Sequence, residues 1–388
     1  MPVALRSCLV GVIVAVLVCA GSAFSASKPH YVITNDDVPP KLPTSATFYT
    51  VGVGGVLTQT KTVNTGGNGI AAGLFGTQRI AVLQNGSSKC VFASMAQTND
   101  IAWIPIGTLK TGGRARGSSG DDGSTNGIGM AVNANYLYAA FTASNTIGTF
   151  QVQSGCKLNF VSDINVTPLN GGSVDGMAIH GNMLVVTYGD GSIESFDISA
   201  GVPVSNGDEQ NSTGKKGANW PSGVDVTQDG HYAVFGDIAT STMVEVSDIS
   251  SGKLTKTKLY NLGRDLSSAT VLLSPDETLL YVANTQGGEV TAAFFDKTTG
   301  VVSKGCVSKT LKGFASNWAY LGTMVTEQTS GTGGVIYVAE YGAPSSIGMV
   351  QVKSKGGKCT LTESGKSPVS DPNSPGLLSI GVYPPRPF

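Results

Sequence analysis

Charged residues are scarce in this sequence of 388 residues, because Asp, Glu, Lys and Arg together make up only 13% of it. The 25 Lys and Arg residues are balanced by 26 Asp and Glu residues, which gives a formal net charge of −1. A nearly neutral chain has no field to attract nucleic acid or an anionic lipid surface, so neither is expected as a partner. The 40% of hydrophobic residues can bury a large core, which excludes intrinsic disorder.

Histidine and clustered cysteine are also lacking. The sequence has three histidines, His30, His180 and His231, and no CxxC or Cys/His cluster. A structural zinc site needs four such ligands at close spacing, so we predict no metal site and no cofactor.

No hydrophobic run is long enough to span a bilayer. The longest begins at Cys8 and ends at Ala20, 13 residues that follow Arg6 and precede small residues. A membrane helix needs roughly 20. This arrangement is typical of a secretory signal peptide over residues 1–25, cleaved after Ala23 or Ser25; an uncleaved anchor is the alternative. We therefore predict a secreted or periplasmic protein.

Four cysteines remain after such cleavage, Cys90, Cys156, Cys306 and Cys359. An even number in an oxidising compartment permits disulfides, and three pairings are possible. Cys306 and Cys359 fall at similar places in two consecutive repeats, which favours that pair.

A repeat runs through the chain in place of helical periodicity. The pattern apolar-x-x-apolar-x-apolar occurs six times, and a seventh copy has its last apolar residue displaced by one position; first positions are 46 to 57 residues apart. The copies begin at Phe48, Ile101, Ile147, Ile193, Met243, Val290 and Ile347. This period is typical of propeller blades, because one four-stranded sheet with its turns needs about that much chain.

Each repeat is interpreted as four strands. In the clearest copy, from Ser267 to Leu311, the inner strand is ATVLLS, the second LLYVAN and the third EVTAAFF, and the outer strand begins at Val301. The second strands are almost continuously apolar, as expected when neighbouring blades cover both faces.

The two chain ends are expected to complete one blade together. HYVITND, from His30, is a second-strand sequence without an inner strand before it, and GLLSIGVY, from Gly376 to Tyr383, is an inner strand without a blade. Pairing them would remove an open sheet edge. We predict an all-β, seven-bladed β-propeller closed by pairing of N- and C-terminal strands, a single domain over residues 26–388, and a monomer.

The segment LLSPDETLLYVANTQGGEVTAAFFDKTTG, from Leu272 to Gly300, resembles the blade unit of the lactonase-type seven-bladed propellers. That family is similar to bacterial 6-phosphogluconolactonase, fungal carboxymuconate cycloisomerase and the YVTN-repeat surface proteins. The resemblance extends more weakly over the rest of the mature chain. It implies a lactone hydrolase or cycloisomerase, or a binding propeller of the YVTN-repeat type without catalysis.

The enzymes of that family carry a G-P-R-H segment before an inner strand. The corresponding segment in this chain, LGRDLSSATVLLSPDE from Leu262, keeps Arg264 and lacks the histidine. Opening a lactone needs an activated water and a group that stabilises the oxyanion. The absent histidine therefore weighs against lactonase activity.

Three candidate catalytic residues, Arg264, Asp175 and Asp225, lie just before or in inner strands and could line the central channel. Asp265 lies beside Arg264 as a ligand-binding candidate. A carboxylate at such a position could serve as a base, although residues placed like this more often cap turns and bind water.

Two long polar segments, 108–127 and 205–221, supply the other candidates for binding an anionic ligand. They contain Arg114, Arg116, Lys215 and Trp220. Basic side chains could hold a carboxylate or anionic sugar while the indole stacks on it. Solvated loops without a ligand are the alternative.

Two functions follow from these observations. One is an enzyme acting on a lactone or sugar acid, and the other is a binding propeller whose partner is a small molecule or an extracellular protein or glycan.

Overall fold

The computed structural model describes residues 30–36, 42–70, 78–124, 127–212, 220–238, 243–263, 268–285, 287–314, 321–330, 333–341, 345–374, 376 and 379–386. In these residues thirty β-strands form seven sheets, and the helical elements are two 3-10 turns, Val53–Gly55 and Ser154–Cys156. The predicted seven-bladed all-β propeller is confirmed.

Six blades are formed by consecutive strands, which run in order from the inner to the outer strand of each blade. Blade 1 contains β4 (Ile80–Asn85), β5 (Ser88–Met95), β6 (Asp100–Pro105) and β7 (Gly113–Arg116). Blade 2 contains β8 (Ile128–Val132), β9 (Tyr136–Phe141), β10 (Thr146–Val152) and β11 (Leu158–Asn165). Blade 3 contains β12 (Val174–His180), β13 (Met183–Tyr188), β14 (Ser192–Asp197), and two short outer strands, β15 (Val204–Ser205) and β16 (Gln210–Asn211).

Blade 4 contains β17 (Pro221–Val226), β18 (Tyr232–Asp237), β19 (Met243–Asp248) and β20 (Thr255–Asn261). Blade 5 contains β21 (Ser268–Leu273), β22 (Leu279–Asn284), β23 (Glu289–Asp296) and β24 (Val301–Val307). Blade 6 contains β25 (Leu321–Ser330), β26 (Gly333–Glu340), β27 (Ser345–Lys355), β28 (Lys358–Glu363) and β29 (Val369–Asp371), which also pairs with β27.

The seventh blade, called the closing blade, joins both chain ends. Its order is β3 (Leu57–Asn68), β2 (Pro43–Val51), β1 (Tyr31–Asp36) and β30 (Ile380–Tyr383). Strand β30 pairs antiparallel with β1, from Tyr31 opposite Tyr383 to Thr34 opposite Ile380. The predicted closure is therefore confirmed, with a shorter inner strand than the eight residues of the sequence segment.

Second strands are buried on both faces, as their apolar sequences predict. In β22, Leu279, Tyr281 and Ala283 pack in one core cluster with side chains of blade 6, whereas Leu280 and Val282 pack in another with side chains of blade 4. Alternate residues of a strand point to opposite faces, so one strand contributes to two interfaces between blades.

Two disulfides connect neighbouring blades. Cys90 in β5 is bonded to Cys156 in the second 3-10 turn, and Cys306 in β24 to Cys359 in β28. The favoured Cys306–Cys359 pair is confirmed; it joins the outer strands of blades 5 and 6, whereas Cys90–Cys156 joins blade 1 to blade 2.

The predicted signal peptide, residues 1–25, lies outside the described residues, so it and the domain boundary that depends on it stay predictions. Among the residues that are described, no helix has the length and apolar character needed to cross a membrane.

Candidate functional site

The inner strands enclose a central cavity of about 170 Å³. Aliphatic side chains supply most of its wall: Ile80, Val82, Met130, Val132, Ile179, Leu272, Ile380 and Val382. Polar side chains reach it from Gln78, Asp225 and Arg386. This cavity is a candidate ligand site, because it is concave, mainly apolar and has a few polar groups at its edge.

Arg386 lies across one end of the cavity. It follows β30 of the closing blade, yet its guanidinium reaches blades 4 and 5, where Nη1 donates to Asp225 Oδ2 at 2.9 Å and Nη2 donates to Glu277 Oε1 at 2.8 Å. Nη2 also donates to the carbonyl oxygen of Val226 at 2.9 Å. The side chain is only 10% exposed, so this is a buried three-charge cluster.

Asp225, a predicted catalytic residue, belongs to this cluster. Besides Arg386, its carboxylate accepts the backbone N–H of Leu273 at 2.8 Å and that of Val226 at 2.8 Å. These contacts fix the side chain between blades 4 and 5. Asp225 therefore anchors the C-terminal segment, and its catalytic role stays an untested prediction.

Sequence reasoning missed Arg386. The residue stands alone in the sequence PPRPF at the chain end, with no motif around it. The predicted closure could have indicated it, because an inner strand at the C-terminal end places the residues that follow β30 at the mouth of the channel.

Asp175, the second predicted catalytic carboxylate, is brought together with Trp220. The indole Nε1–H donates to Asp175 Oδ2 at 2.9 Å, and the Ser173 hydroxyl donates to Oδ1 at 3.3 Å. Burial raises the pKa of Asp175 well above its ordinary value, although the two hydrogen bonds oppose that shift. The arrangement holds a buried acid next to an aromatic ring that had been predicted to stack on a ligand.

Asp175 and Asp225 do not converge. Asp175 is the second residue of β12, whereas Asp225 is the fifth of β17, the adjacent inner strand. The two positions differ by three residues along adjacent strands. At about 3.3 Å per residue, this offset separates the two carboxylates by on the order of 10 Å along the channel. They cannot act on the same atom of a small substrate.

Arg114 and Arg116 lie on β7, the outermost strand of blade 1, instead of in a loop at the channel mouth. Arg114 Nη1 and Arg116 Nε contact the two oxygens of Asp100 at 2.8 and 3.1 Å. The predicted loop is thus partly a strand, because the alternating sequence GRAR pairs with β6. Binding of an anion by these residues stays a prediction, at a position remote from the channel.

The remaining predicted site residues, Arg264, Asp265 and Lys215, lie outside the described residues, and their roles stay predictions. Within the described part of the chain, no three His, Cys, Asp or Glu side chains are grouped as they would be around a metal ion.

Buried carboxyl groups also terminate second strands. Asp237 in β18 accepts the backbone N–H of Trp220 at 3.0 Å, and Glu340 in β26 accepts the hydroxyl of Ser346. These contacts cap loops and strand ends inside blades. Burial raises the pKa of Glu340 to about 7, and the charge of Glu363 contributes to the shift.

A pH-dependent stability follows from Glu340. Its folded pKa of about 7 exceeds the ordinary 4.5, so the folded state favours the protonated acid. Its contribution is complete below pH 4.5 and is lost as the pH rises to about 7. The unfolding free energy of wild type should therefore fall between pH 4.5 and 7. In Glu340→Gln we expect this fall to be smaller by about 2 kcal/mol, as measured by urea unfolding at each pH. Equal pH profiles of wild type and variant would contradict this.

No family model and no curated protein matches the sequence. Solved structures do match. Two proteins described as "putative 6-phosphogluconolactonase" superpose on this chain with a TM-score of 0.69. The one from Bacteroides fragilis is 12% identical, and the match covers 92% of this chain and 99% of that protein. The one from Bacteroides uniformis is 11% identical, and the match covers 91% of this chain and 99% of that protein. A functionally unknown protein from Desulfotomaculum acetoxidans has a TM-score of 0.65 and 15% identity, with 92% and 99% covered.

At these identities the likeness concerns the fold alone, and it extends over nearly the whole of each neighbour. The resemblance drawn from the blade sequences and the superposition of the backbones agree. This chain has a seven-bladed propeller fold, which it shares with these neighbours.

Proposed function

We propose that this chain is a secreted lactonase-type propeller that binds a small, largely apolar molecule in its central cavity without transforming it. The aliphatic wall of the cavity is the observation that supports this proposal most directly. Its inter-blade disulfides fit the oxidising compartment that secretion implies.

The size of the cavity suits a ligand with one or two rings. A cavity of about 170 Å³ is similar to the roughly 150 Å³ apolar cavity that binds benzene in an engineered protein. A sugar acid would bring several hydroxyl groups against Val82, Val132 and Ile179, and each unpaired hydroxyl would cost about 1–3 kcal/mol. An apolar ring avoids that cost.

Indole is a suitable probe, and its binding can be measured by isothermal titration calorimetry. We expect wild type to bind it, and Val82→Phe and Val132→Phe to weaken binding at least tenfold by filling the cavity. Val204→Phe is the matched control, since Val204 is 62% exposed on β15 and should leave binding unchanged. Absence of indole binding to wild type, or equal binding by all variants, would refute the proposal.

Lactone hydrolysis is a second candidate function. It is supported by the raised pKa of buried Asp175 beside Trp220, and by the fold shared with proteins described as 6-phosphogluconolactonases. Perturbed acids of this kind are frequent at catalytic sites. Arg264 and Asp265, in the segment that resembles the family's G-P-R-H sequence, would belong to the same site.

Hydrolysis of δ-gluconolactone separates the two candidates. Binding without catalysis predicts the buffer rate for wild type, Asp175→Asn and Arg264→Ala. A wild-type rate well above buffer that falls at least a hundredfold in both variants would replace the binding proposal with the enzymatic one.

A further inference from the structure

The guanidinium of Arg386 lies among four hydrogen-bond acceptors at one end of the central cavity. It donates to the carboxylates of Asp225 and Glu277 at 2.9 and 2.8 Å. It also donates to the carbonyl oxygens of Val226 and Leu273 at 2.9 and 3.3 Å. These four acceptors, here called the cation cradle, belong to the ends of β17 and β21 and to the turn after β21. Two carboxylates and two carbonyl oxygens together suit a positively charged group.

The cation cradle opens on the apolar cavity of the proposed ligand site. Asp225, Val226 and Arg386 are part of the cavity wall, together with aliphatic side chains such as Val132 and Ile179. A molecule in the cavity would therefore have apolar groups around its body and the cation cradle at one end. Ligand sites commonly combine an apolar wall with a few polar groups that orient the ligand.

Glu277 reaches the cation cradle from a turn that favours glycine. Five residues connect β17 to β18 and five connect β21 to β22, and the fourth residue is Gly230 in the first turn and Glu277 in the second. Both residues have a left-handed backbone, with φ of 70° and 58°. A residue with a Cβ is disfavoured in this conformation. Blade 5 therefore keeps a strained position in the turn that places a buried carboxylate, 3% exposed, in the cation cradle.

Arg386 occupies the cation cradle as a tethered group. Strand β30 ends at Tyr383, so residues 384–386 lie beyond the pairing of β30 with β1. A group on a short tether has an effective concentration on the order of millimolar. A free cation that competes with Arg386 must therefore gain additional binding free energy, and burial of an apolar ring in the adjacent cavity would supply it.

The charges of the cation cradle determine which ligands can replace Arg386. A neutral molecule that displaced the guanidinium would leave Asp225 and Glu277 largely buried without a counter-ion, which is strongly unfavourable. A ligand with its own positive charge exchanges one cation for another and avoids this cost.

We propose that the cation cradle is the polar end of the ligand site, and that Arg386 fills it as a tethered competitor when no ligand is bound. The ligand is then an amphipathic cation, with an ammonium or guanidinium group for the cation cradle and a small apolar ring for the cavity. This inference rests on the proposed function, because the ring would occupy the same cavity.

Tryptamine and indole carry the same ring, and only tryptamine carries an ammonium group, so the pair tests the inference by isothermal titration calorimetry. We expect Arg386→Ala to bind tryptamine at least tenfold more tightly than wild type does, whereas the affinity for indole should change less than threefold. Arg114→Ala is the matched control. It removes an arginine that pairs with Asp100 at the outer edge of blade 1, and should bind both compounds as wild type does.

Two further variants locate the effect. Arg386→Ala combined with Asp225→Asn and Glu277→Gln lacks the carboxylates of the cation cradle, and should bind tryptamine no more tightly than indole. Arg386→Lys keeps a positive charge without the planar fork of donors, so it should compete less well and bind tryptamine at least threefold more tightly than wild type. This variant preserves the test if Arg386→Ala does not fold.

The outcomes separate this inference from the proposed function. Indole binding together with a tryptamine affinity that is the same in wild type, Arg386→Ala and Arg386→Lys would overturn the inference and leave the proposed function intact. A gain in tryptamine affinity that persists without the two carboxylates would also overturn it. Absence of indole binding to wild type would instead refute the proposed function, and this inference with it.

Discussion

Deletion of residues 380–388 is expected to abolish cooperative folding. The deletion removes β30, so β1 loses its pairing partner and the closing blade loses its inner strand. Ile380, Val382 and Tyr383 are buried between the closing blade and its neighbours, and each is worth about 1.5–3 kcal/mol. Their sum, with the cavity left behind, is comparable to the whole stability of a typical domain, about 5–15 kcal/mol. Circular dichroism during thermal unfolding should show no sharp transition.

Deletion of residues 387 and 388 is the matched control. It keeps β30 and Arg386, and we expect a Tm close to that of the full chain. A chain lacking residues 380–388 that still unfolds in one sharp transition, at a Tm near that of wild type, would show that the ring does not depend on its C-terminal strand.

The number of blades and their closure could be predicted because both depend on local patterns. A buried strand such as β22 needs apolar residues on both faces, and the same requirement recurs in every blade at a nearly constant period. The closure could be predicted because the N-terminal segment begins with a second strand and lacks an inner strand, while the C-terminal segment supplies an inner strand without a blade. Pattern and period are properties of neighbouring residues, so a single sequence displays them.

Side-chain contacts across blades could not be predicted in this way. Arg386 meets Asp225 at a separation of 161 residues, and Trp220 meets Asp175 at 45. No local pattern encodes these distances, because they depend on the rotation between blades and on the direction of each side chain. The pairing of Arg114 with Asp100 is different: the alternation in GRAR could have indicated a strand.

Replacing Arg386 with Met is expected to lower the unfolding free energy by about 3–5 kcal/mol, which is the usual cost of removing one partner of a buried ion pair. The methylene groups retain similar packing, while Asp225 and Glu277 lose their counter-ion at a position that is largely shielded from solvent. Glu277 is then held only by the backbone N–H of Gln228 at 2.6 Å. Urea unfolding, with the midpoint and slope compared to wild type, measures the loss.

A second variant separates lost packing from uncompensated charge. In Arg386→Met combined with Asp225→Asn and Glu277→Gln, neither of these two positions keeps a carboxylate that has lost its counter-ion, so we expect at least half of the lost stability to return. If the triple variant is no more stable than Arg386→Met, the three charges do not depend on one another. The contribution of Arg386 would then lie in its hydrogen bonds to the carbonyl oxygens of Val226 and Leu273, which both variants lose equally. Recovery would instead establish that the C-terminal segment is held across the channel by charge, since the carboxylates of blades 4 and 5 would be tolerated in the interior only because the chain end supplies their counter-ion.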